Sequence, residues 1–183
     1  QGTGCNVFGN CGKDPKTAAL QDLLIEATKG IAMYAHRAAE LGARDTEVDR
    51  EMLEALFATV TNVDFDPARL HSHLHSAAEK KRLARAMYED ACRRAGRSPE
   101  TLSGPAAWEP ADSVDGLLAQ AEKVSITVRQ QALGPDLCSL QEIVLYGLKG
   151  AAAYADHARV LGREDQSLYA TFHAALNALT DPA

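Results

Sequence analysis

The sequence predicts an all-α protein made of two packed three-helix bundles, similar in plan to spectrin repeats. Apolar residues form 46% of the 183 positions, but aromatic residues form only 5% and alanine is frequent. That balance favours closely packed helices over sheets. Long stretches also place apolar residues every three or four positions, which is the period of one helix face. The chain is long enough for one ordinary domain or two small packed units.

An internal repeat supports the plan of two units. When residues 20–45 are aligned with residues 140–165, 11 of the 26 positions are identical. The identical residues include Lys29, Gly30 and Tyr34, with their counterparts Lys149, Gly150 and Tyr154. Glycine inside a helix costs about 1 kcal/mol relative to alanine, so its recurrence needs a structural reason. We predict that both glycines allow close packing of helices and that the tyrosines fill the space beside them.

The first bundle is predicted over residues 17–97, after a short cysteine loop at residues 1–16. Its first helix carries apolar residues on one face and has start and stop signals at both ends. A proline-containing start and a terminal glycine are typical of helix ends. The predicted helices run from Asp14 or Thr17 to Gly42, from Thr46 or Glu47 to about Thr61 and from Pro67 to about Ala95.

A linker is predicted at residues 98–111, because glycine and proline are concentrated there. The second bundle then covers residues 112–183, with its additional helix before the repeated pair of helices. Ser139 and Glu142 form a capping-box pattern that predicts the start of the long helix. The predicted helices run from Asp112 to about Arg129, from Ser139 to Gly162 and from Gln166 to about Leu179.

The charge of the chain argues against two classes of partner. The formal net charge is −6 and the pI is about 5.5, so nucleic acid and anionic membrane surfaces are not expected partners. No apolar run approaches the ~20 residues of a membrane span. We therefore expect a soluble, cytoplasmic protein, and homo-oligomer formation is left open.

The cysteine loop resembles half of a metal site. Cys5 and Cys11 lie six residues apart among glycines and asparagines, where both thiolates can face one centre. An iron-sulfur cluster or structural zinc needs about four such ligands, so a disulfide between the two is the alternative. The chain starts at Gln1 without methionine, and we expect a truncated start. Cys92 and Cys138 lie within or beside helical patterns and are interpreted as packed thiols.

Three histidines form a weaker candidate. His71 and His75 are one helical turn apart and His73 lies between them, so two of the rings can face one metal. The same helix carries many charged residues, which favours a solvated face instead. No residue is assigned a catalytic role, since the sequence shows no Ser-His-Asp order, glycine-rich phosphate loop or HExxH motif.

Several segments together resemble the hybrid-cluster protein family, whose members are also called prismanes or hydroxylamine reductases. The similar segments are the cysteine loop at 4–13, the helix start at 17–24, the helix at 55–62 and the second copy at 146–155. The resemblance covers essentially the whole chain. It implies that this chain corresponds to the N-terminal helical domain, which in the family contains two three-helix bundles.

The resemblance also implies a cofactor and an activity. Family members carry a Cys-x-x-Cys pair just before the position of Gln1, and those thiolates bind an iron-sulfur cluster together with the equivalents of Cys5 and Cys11. The spacing of these two cysteines is similar to that of the branch with a [4Fe-4S] cluster. Electrons from a donor protein are expected to pass through it to a hybrid cluster in downstream α/β domains, where hydroxylamine is reduced to ammonia; nitric oxide is another proposed substrate.

A second hypothesis of a different class follows from the incomplete ligand set. The chain can instead be a metal-free helical scaffold or oligomerisation module without catalytic activity, and a Cys5–Cys11 disulfide would accompany that role. Metal content, the oligomeric state and the response of stability to a chelator distinguish the two hypotheses.

Overall fold

The computed structural model describes residues 8–9 and 11–181, and this part of the chain contains helices and no strand. The prediction of an all-α fold is confirmed. The helices are α1 (Pro15–Glu40), α2 (Thr46–Ala58), α3 (Pro67–Arg94), α4 (Val114–Glu122), α5 (Ile126–Leu133), α6 (Pro135–Val160) and α7 (Gln166–Ala178), with a 3₁₀ turn at Gly104–Ala107.

The ends of α1 follow the predicted signals. The Asp14 side chain accepts a hydrogen bond from the Thr17 backbone N–H at 2.7 Å and caps the helix start. Gly42 has a φ of +76°, which allows the Ala43 N–H to reach the Ala38 carbonyl at 2.9 Å. Gly162 ends α6 in the same way, with a φ of +72°. The two copies of the repeat therefore share a helix stop.

Two hydrophobic clusters meet at α1. One cluster joins α1 to α2, α3, α4 and the 3₁₀ turn, and the other joins α1 to α2, α6 and α7. In the second cluster α7 packs on α1, while α6 packs on α2. Each helix of the second copy thus packs on a helix of the first copy, and the two copies share one core. We call this arrangement the exchanged packing. The division of the chain into bundles at residues 17–97 and 112–183 stays a prediction.

Two expectations about the second unit were wrong. The helix predicted from Asp112 to Arg129 is divided into α4 and α5, because Ser125 caps a new helix by accepting from the Val128 N–H at 3.5 Å. The capping box at Ser139 does not start α6, which begins at Pro135. The Ser139 hydroxyl donates to the Pro135 carbonyl at 2.7 Å instead.

The recurring glycines have different surroundings. A Cβ atom built on Gly30 would lie 2.3 Å from the Pro105 carbonyl oxygen, so the predicted close packing is present there, against the 3₁₀ turn of the expected linker. A Cβ on Gly150 would meet nothing within 4 Å. Tyr34 is 5% exposed but Tyr154 is 81% exposed. The packing interpretation is correct for the first copy and wrong for the second copy as seen here.

Among the described residues, none of the helices combines the length and the apolar character needed to cross a bilayer.

Candidate functional site

The cysteine loop enters α1 through a short hydrogen-bonded turn. The Gly12 N–H donates to the Gly9 carbonyl at 2.8 Å, and the Gly9 N–H donates to the Lys13 carbonyl at 2.9 Å. Gly12 has a φ of +86°, a conformation that glycine adopts without strain. The turn presents Cys11 to solvent, and no disulfide joins Cys11 to another described cysteine. Cys5, the other predicted ligand, lies outside the described residues.

Lys13 and Gln21 fasten this turn to the helices. The Lys13 ammonium donates to the Gln21 side-chain oxygen at 2.5 Å and lies 5.6 Å from the centre of the Phe65 ring. The Gln21 amide donates to the Asp64 carbonyl at 2.7 Å. Partial burial lowers the pKa of the Lys13 side chain, and the charge of nearby Cys11 partly opposes that shift. The Lys13 side chain therefore lies close enough to Cys11 for an electrostatic interaction.

Cys11 borders a cavity of about 720 Å³ between the cysteine loop, α1 and α6. The walls are both apolar and strongly polar. Charged residues in the lining are Lys13, Asp14, Asp22, Glu26, Lys29, Arg129, Glu142 and Lys149. Such a concentration of charge in a concave surface is typical of a binding or reaction site.

The internal repeat accounts for the arrangement of these charges. Asp22 and Lys29 occupy the same positions in the first copy as Glu142 and Lys149 in the second. Asp22 interacts electrostatically with Lys149 of the other copy, and Lys29 interacts more weakly with Glu142 while forming an ion pair at 3.5 Å with Glu26 on its own helix. Arg129 from α5 also forms an ion pair with Glu142. The cavity therefore lies where the two copies face each other.

Burial shifts the protonation of three of these groups. Desolvation lowers the pKa of Lys29 and of Lys149, with partial compensation by Glu26 and Asp22 respectively. Desolvation raises the pKa of the Asp22 carboxyl, against the attraction of Lys149. In each case the loss of water outweighs the nearby opposite charge. Burial therefore disfavours the charged forms of these three side chains.

Replacing Lys29 with methionine is expected to raise the free energy of unfolding at pH 7. The pKa of Lys29 is lower in the folded chain than its ordinary value of 10.5, so the unfolded chain binds more protons and stability rises with pH through that window. The variant should lose part of the rise in stability that occurs just below pH 10.5. Urea unfolding across that pH range measures the effect.

Lys123→Met provides the control, because Lys123 is an exposed lysine at the end of α4. Its pH profile should coincide with that of the unsubstituted chain. A lower stability of Lys29→Met at pH 7, with an unchanged dependence on pH, would contradict the interpretation that Lys29 is held in an unfavourable charged state.

The histidines lie apart from this cavity. The rings of His71 and His75 have centroids 4.4 Å apart, but the Nε2 atom of His71 is 3.2 Å from the Asp112 carbonyl oxygen. His73 faces the Asp64 carboxylate at 3.7 Å. Within residues 8–9 and 11–181, no three His, Cys, Asp or Glu side chains are grouped as a metal would require. Cys92 and Cys138 are buried, as predicted for packed thiols.

The charged lining of the cavity was missed by the sequence analysis. A signal was present, since the repeat retains Lys29 as Lys149 and an acidic residue at positions 22 and 142, on helices that are otherwise largely apolar. Arg129 carries no comparable signal. Its position depends on the break between α4 and α5, which was not predicted.

The helical fold of the described residues agrees with the helical domain that the sequence resemblance implies. A sequence model described as the Prismane/CO dehydrogenase family matches residues 1–183. The chain belongs to this family.

Curated relatives agree with this assignment. A hydroxylamine reductase of Rhodospirillum rubrum is 51% identical over 99% of this chain and 33% of its own length. A hydroxylamine reductase of Geobacter sulfurreducens is 47% identical over 100% of this chain and 33% of its own length. A hydroxylamine reductase of Burkholderia ambifaria is 47% identical over 94% of this chain and 31% of its own length. The chain spans about a third of the length of these relatives.

Proposed function

We propose that this chain is the N-terminal electron-transfer part of a hydroxylamine-reductase-like oxidoreductase, with Cys5 and Cys11 as two ligands of an iron-sulfur cluster. The observation that carries the proposal is the exposed Cys11 thiol, on a glycine turn that borders a large cavity. Membership of the prismane family and similarity to proteins named hydroxylamine reductase support it.

The residues around Cys11 fit a thiolate ligand. A thiolate needs access to the metal and positive charge or N–H donors nearby, and Lys13 supplies the charge. The backbone hydrogen bonds of Gly9 and Gly12 hold the turn, so the backbone that carries the Cys11 side chain has a defined position. We assign a [4Fe-4S] cluster from the spacing of Cys5 and Cys11. Such a cluster supplies one-electron transfer when bound.

The role of the described residues is to hold this loop at the surface. Gln21 links Lys13 to the start of α3 through Asp64, so movement of the loop is coupled to α1 and α3. This rigidity keeps the distance for electron transfer constant. The proposed partners are an electron donor protein at this surface and downstream α/β domains of the same polypeptide. We place the protein in the cytoplasm, where thiols stay reduced.

In the proposed reaction the downstream domains bind hydroxylamine at a hybrid cluster. Its N–O bond is broken with two electrons and two protons, which gives ammonia and water. Nitric oxide is a second proposed substrate. No described residue of this chain is assigned to bond breaking, and the chain's part is to deliver electrons.

Replacing Cys11 with serine in the full-length protein is expected to abolish this cluster. The purified variant should lose about four iron atoms and four sulfides per chain, together with the electron paramagnetic resonance signal of the reduced cluster. Serine is a poor ligand for iron in such clusters because its oxygen is harder than sulfur. Anaerobic purification, metal analysis and spectroscopy of the dithionite-reduced protein provide the measurement.

Cys92→Ser is the matched control, because Cys92 is buried in α3 and should leave the iron content unchanged. Equal iron contents and spectra in Cys11→Ser and the unsubstituted protein would contradict the proposal. If neither protein contained iron and a Cys5–Cys11 disulfide were found by mass spectrometry, the metal-free scaffold hypothesis would be favoured instead.

A further inference from the structure

The outer face of α6 is apolar and uncovered. Leu140, Ile143 and Tyr154 are 60%, 69% and 81% exposed, and they lie on one side of the helix at the spacing of successive turns. Val144 and Leu161 extend the same face. A monomeric protein rarely leaves such a continuous apolar strip in water, so the strip indicates a contact surface. We call these five residues the α6 outer face.

The first copy of the repeat shows what covers this face. The positions equivalent to the α6 outer face carry mostly fully buried side chains on α1. These equivalents on α1 are Leu20, Leu23, Leu24, Tyr34 and Leu41. They pack in one cluster with residues of α2, α3, α4 and the 3₁₀ turn.

Two contacts give the direction of α3 relative to α1. Gln21, near the start of α1, bonds to the Asp64 carbonyl just before α3. The ring of Tyr34, farther along α1, lies 6.3 Å from the ring of Tyr88 near the end of α3. The two helices therefore run parallel, and the connection between them passes through α2.

We propose that, in the full-length protein, the α6 outer face is covered by a helix of the same polypeptide that follows α7, in the position that α3 occupies on α1. α7 corresponds to α2, and eight residues separate the end of α2 from the start of α3. The relatives are about three times as long as this chain, so they have sequence available for such a helix. The covering helix runs parallel to α6 and has a length close to the 28 residues of α3.

Gly150 supports the same occupant. At its counterpart Gly30, the carbonyl group of Pro105 packs closely against the helix backbone, and Pro105 belongs to the segment after α3. Gly150 is open and lies beside the α6 outer face. We expect the segment after the covering helix to approach Gly150 with its backbone. This inference concerns folding contacts and does not depend on the iron-sulfur cluster.

The proposal is tested by placing the photo-crosslinking residue p-benzoylphenylalanine at Tyr154 or at Leu140 in the full-length protein. After irradiation, mass spectrometry should find intramolecular crosslinks to a segment within about 40 residues after α7. Because the helices run parallel, the crosslink from Leu140 should map closer to α7 than the crosslink from Tyr154. Val160 is an exposed control position on the other side of α6 and should not yield these products.

Three outcomes would overturn the proposal. Crosslinks between two copies would show that the occupant is a second molecule of this protein. Crosslinks to a distant part of the chain would assign the surface to another domain. Absence of crosslinks from both positions would show that the face is uncovered. Metal content does not enter the measurement, so its result is distinguishable from failure of the proposed function.

Discussion

Replacing Phe172 with alanine is expected to lower the free energy of unfolding by about 3 to 5 kcal/mol. Phe172 on α7 is 1% exposed and belongs to the cluster in which α1, α2, α6 and α7 meet. Removing the ring forfeits its burial and leaves a cavity at the contact between the two copies of the repeat. Total stability of a domain is usually only about 5 to 15 kcal/mol, so the loss is severe. Urea unfolding followed by circular dichroism measures it.

Leu168→Ala is the matched control on the same helix. Leu168 is 38% exposed, so its truncation should change the free energy of unfolding by about 0.5 kcal/mol or less. Similar losses for the two variants would show that α7 is not anchored through Phe172. The conclusion that α7 packs in a core shared by the two copies would then be wrong.

Replacing Gly30 with alanine is expected to destabilise the chain by about 1 to 3 kcal/mol. The added methyl group would lie 2.3 Å from the oxygen and 2.9 Å from the carbon of the Pro105 carbonyl. Both atoms belong to the backbone, so relief requires the 3₁₀ turn to move away from α1. That movement opposes the gain of about 1 kcal/mol that alanine brings to a helix interior. Thermal and urea unfolding report the difference.

Gly150→Ala in the 183-residue chain should have the opposite sign. No atom lies within 4 Å of the added Cβ, so only the helix propensity changes and stability should rise by up to about 1 kcal/mol. Equal effects at Gly30 and Gly150 would contradict the difference in packing between the two copies.

Most of the helical fold could be predicted from local signals. The ends of α1 at Asp14 and Gly42 are determined by a cap and a left-handed turn, both of which involve neighbouring residues. The break at Ser125 could not be predicted with the same certainty, because the apolar period continues through it. The exposure of Tyr154 was also missed. The burial of a side chain depends on which segments pack against its helix face. Two copies of a repeated sequence can pack against different segments, as Tyr34 and Tyr154 do here.

The candidate site was predicted only in part. Cys11 was identified from its loop composition and from the family resemblance, and the structure places it at the edge of the cavity. Its role as a metal ligand stays a prediction, as does that of Cys5. Lys29 and Lys149 were noted only as identical residues of the repeat. Their meeting across one cavity is a tertiary effect of the exchanged packing of α6 and α7, which no local pattern contains.

The exchanged packing of the two copies has the form of an isologous homodimer contained in one chain. In such a dimer one surface meets itself, so every residue near the twofold axis appears twice. In this chain the two copies are separate stretches of one sequence, so residues at equivalent positions need not be the same. Glu26 and its counterpart Tyr146 differ, yet both line the cavity. The cavity beside Cys11 can therefore carry a carboxylate from one copy and a phenol ring from the other, an asymmetry that a contact between two identical subunits does not allow.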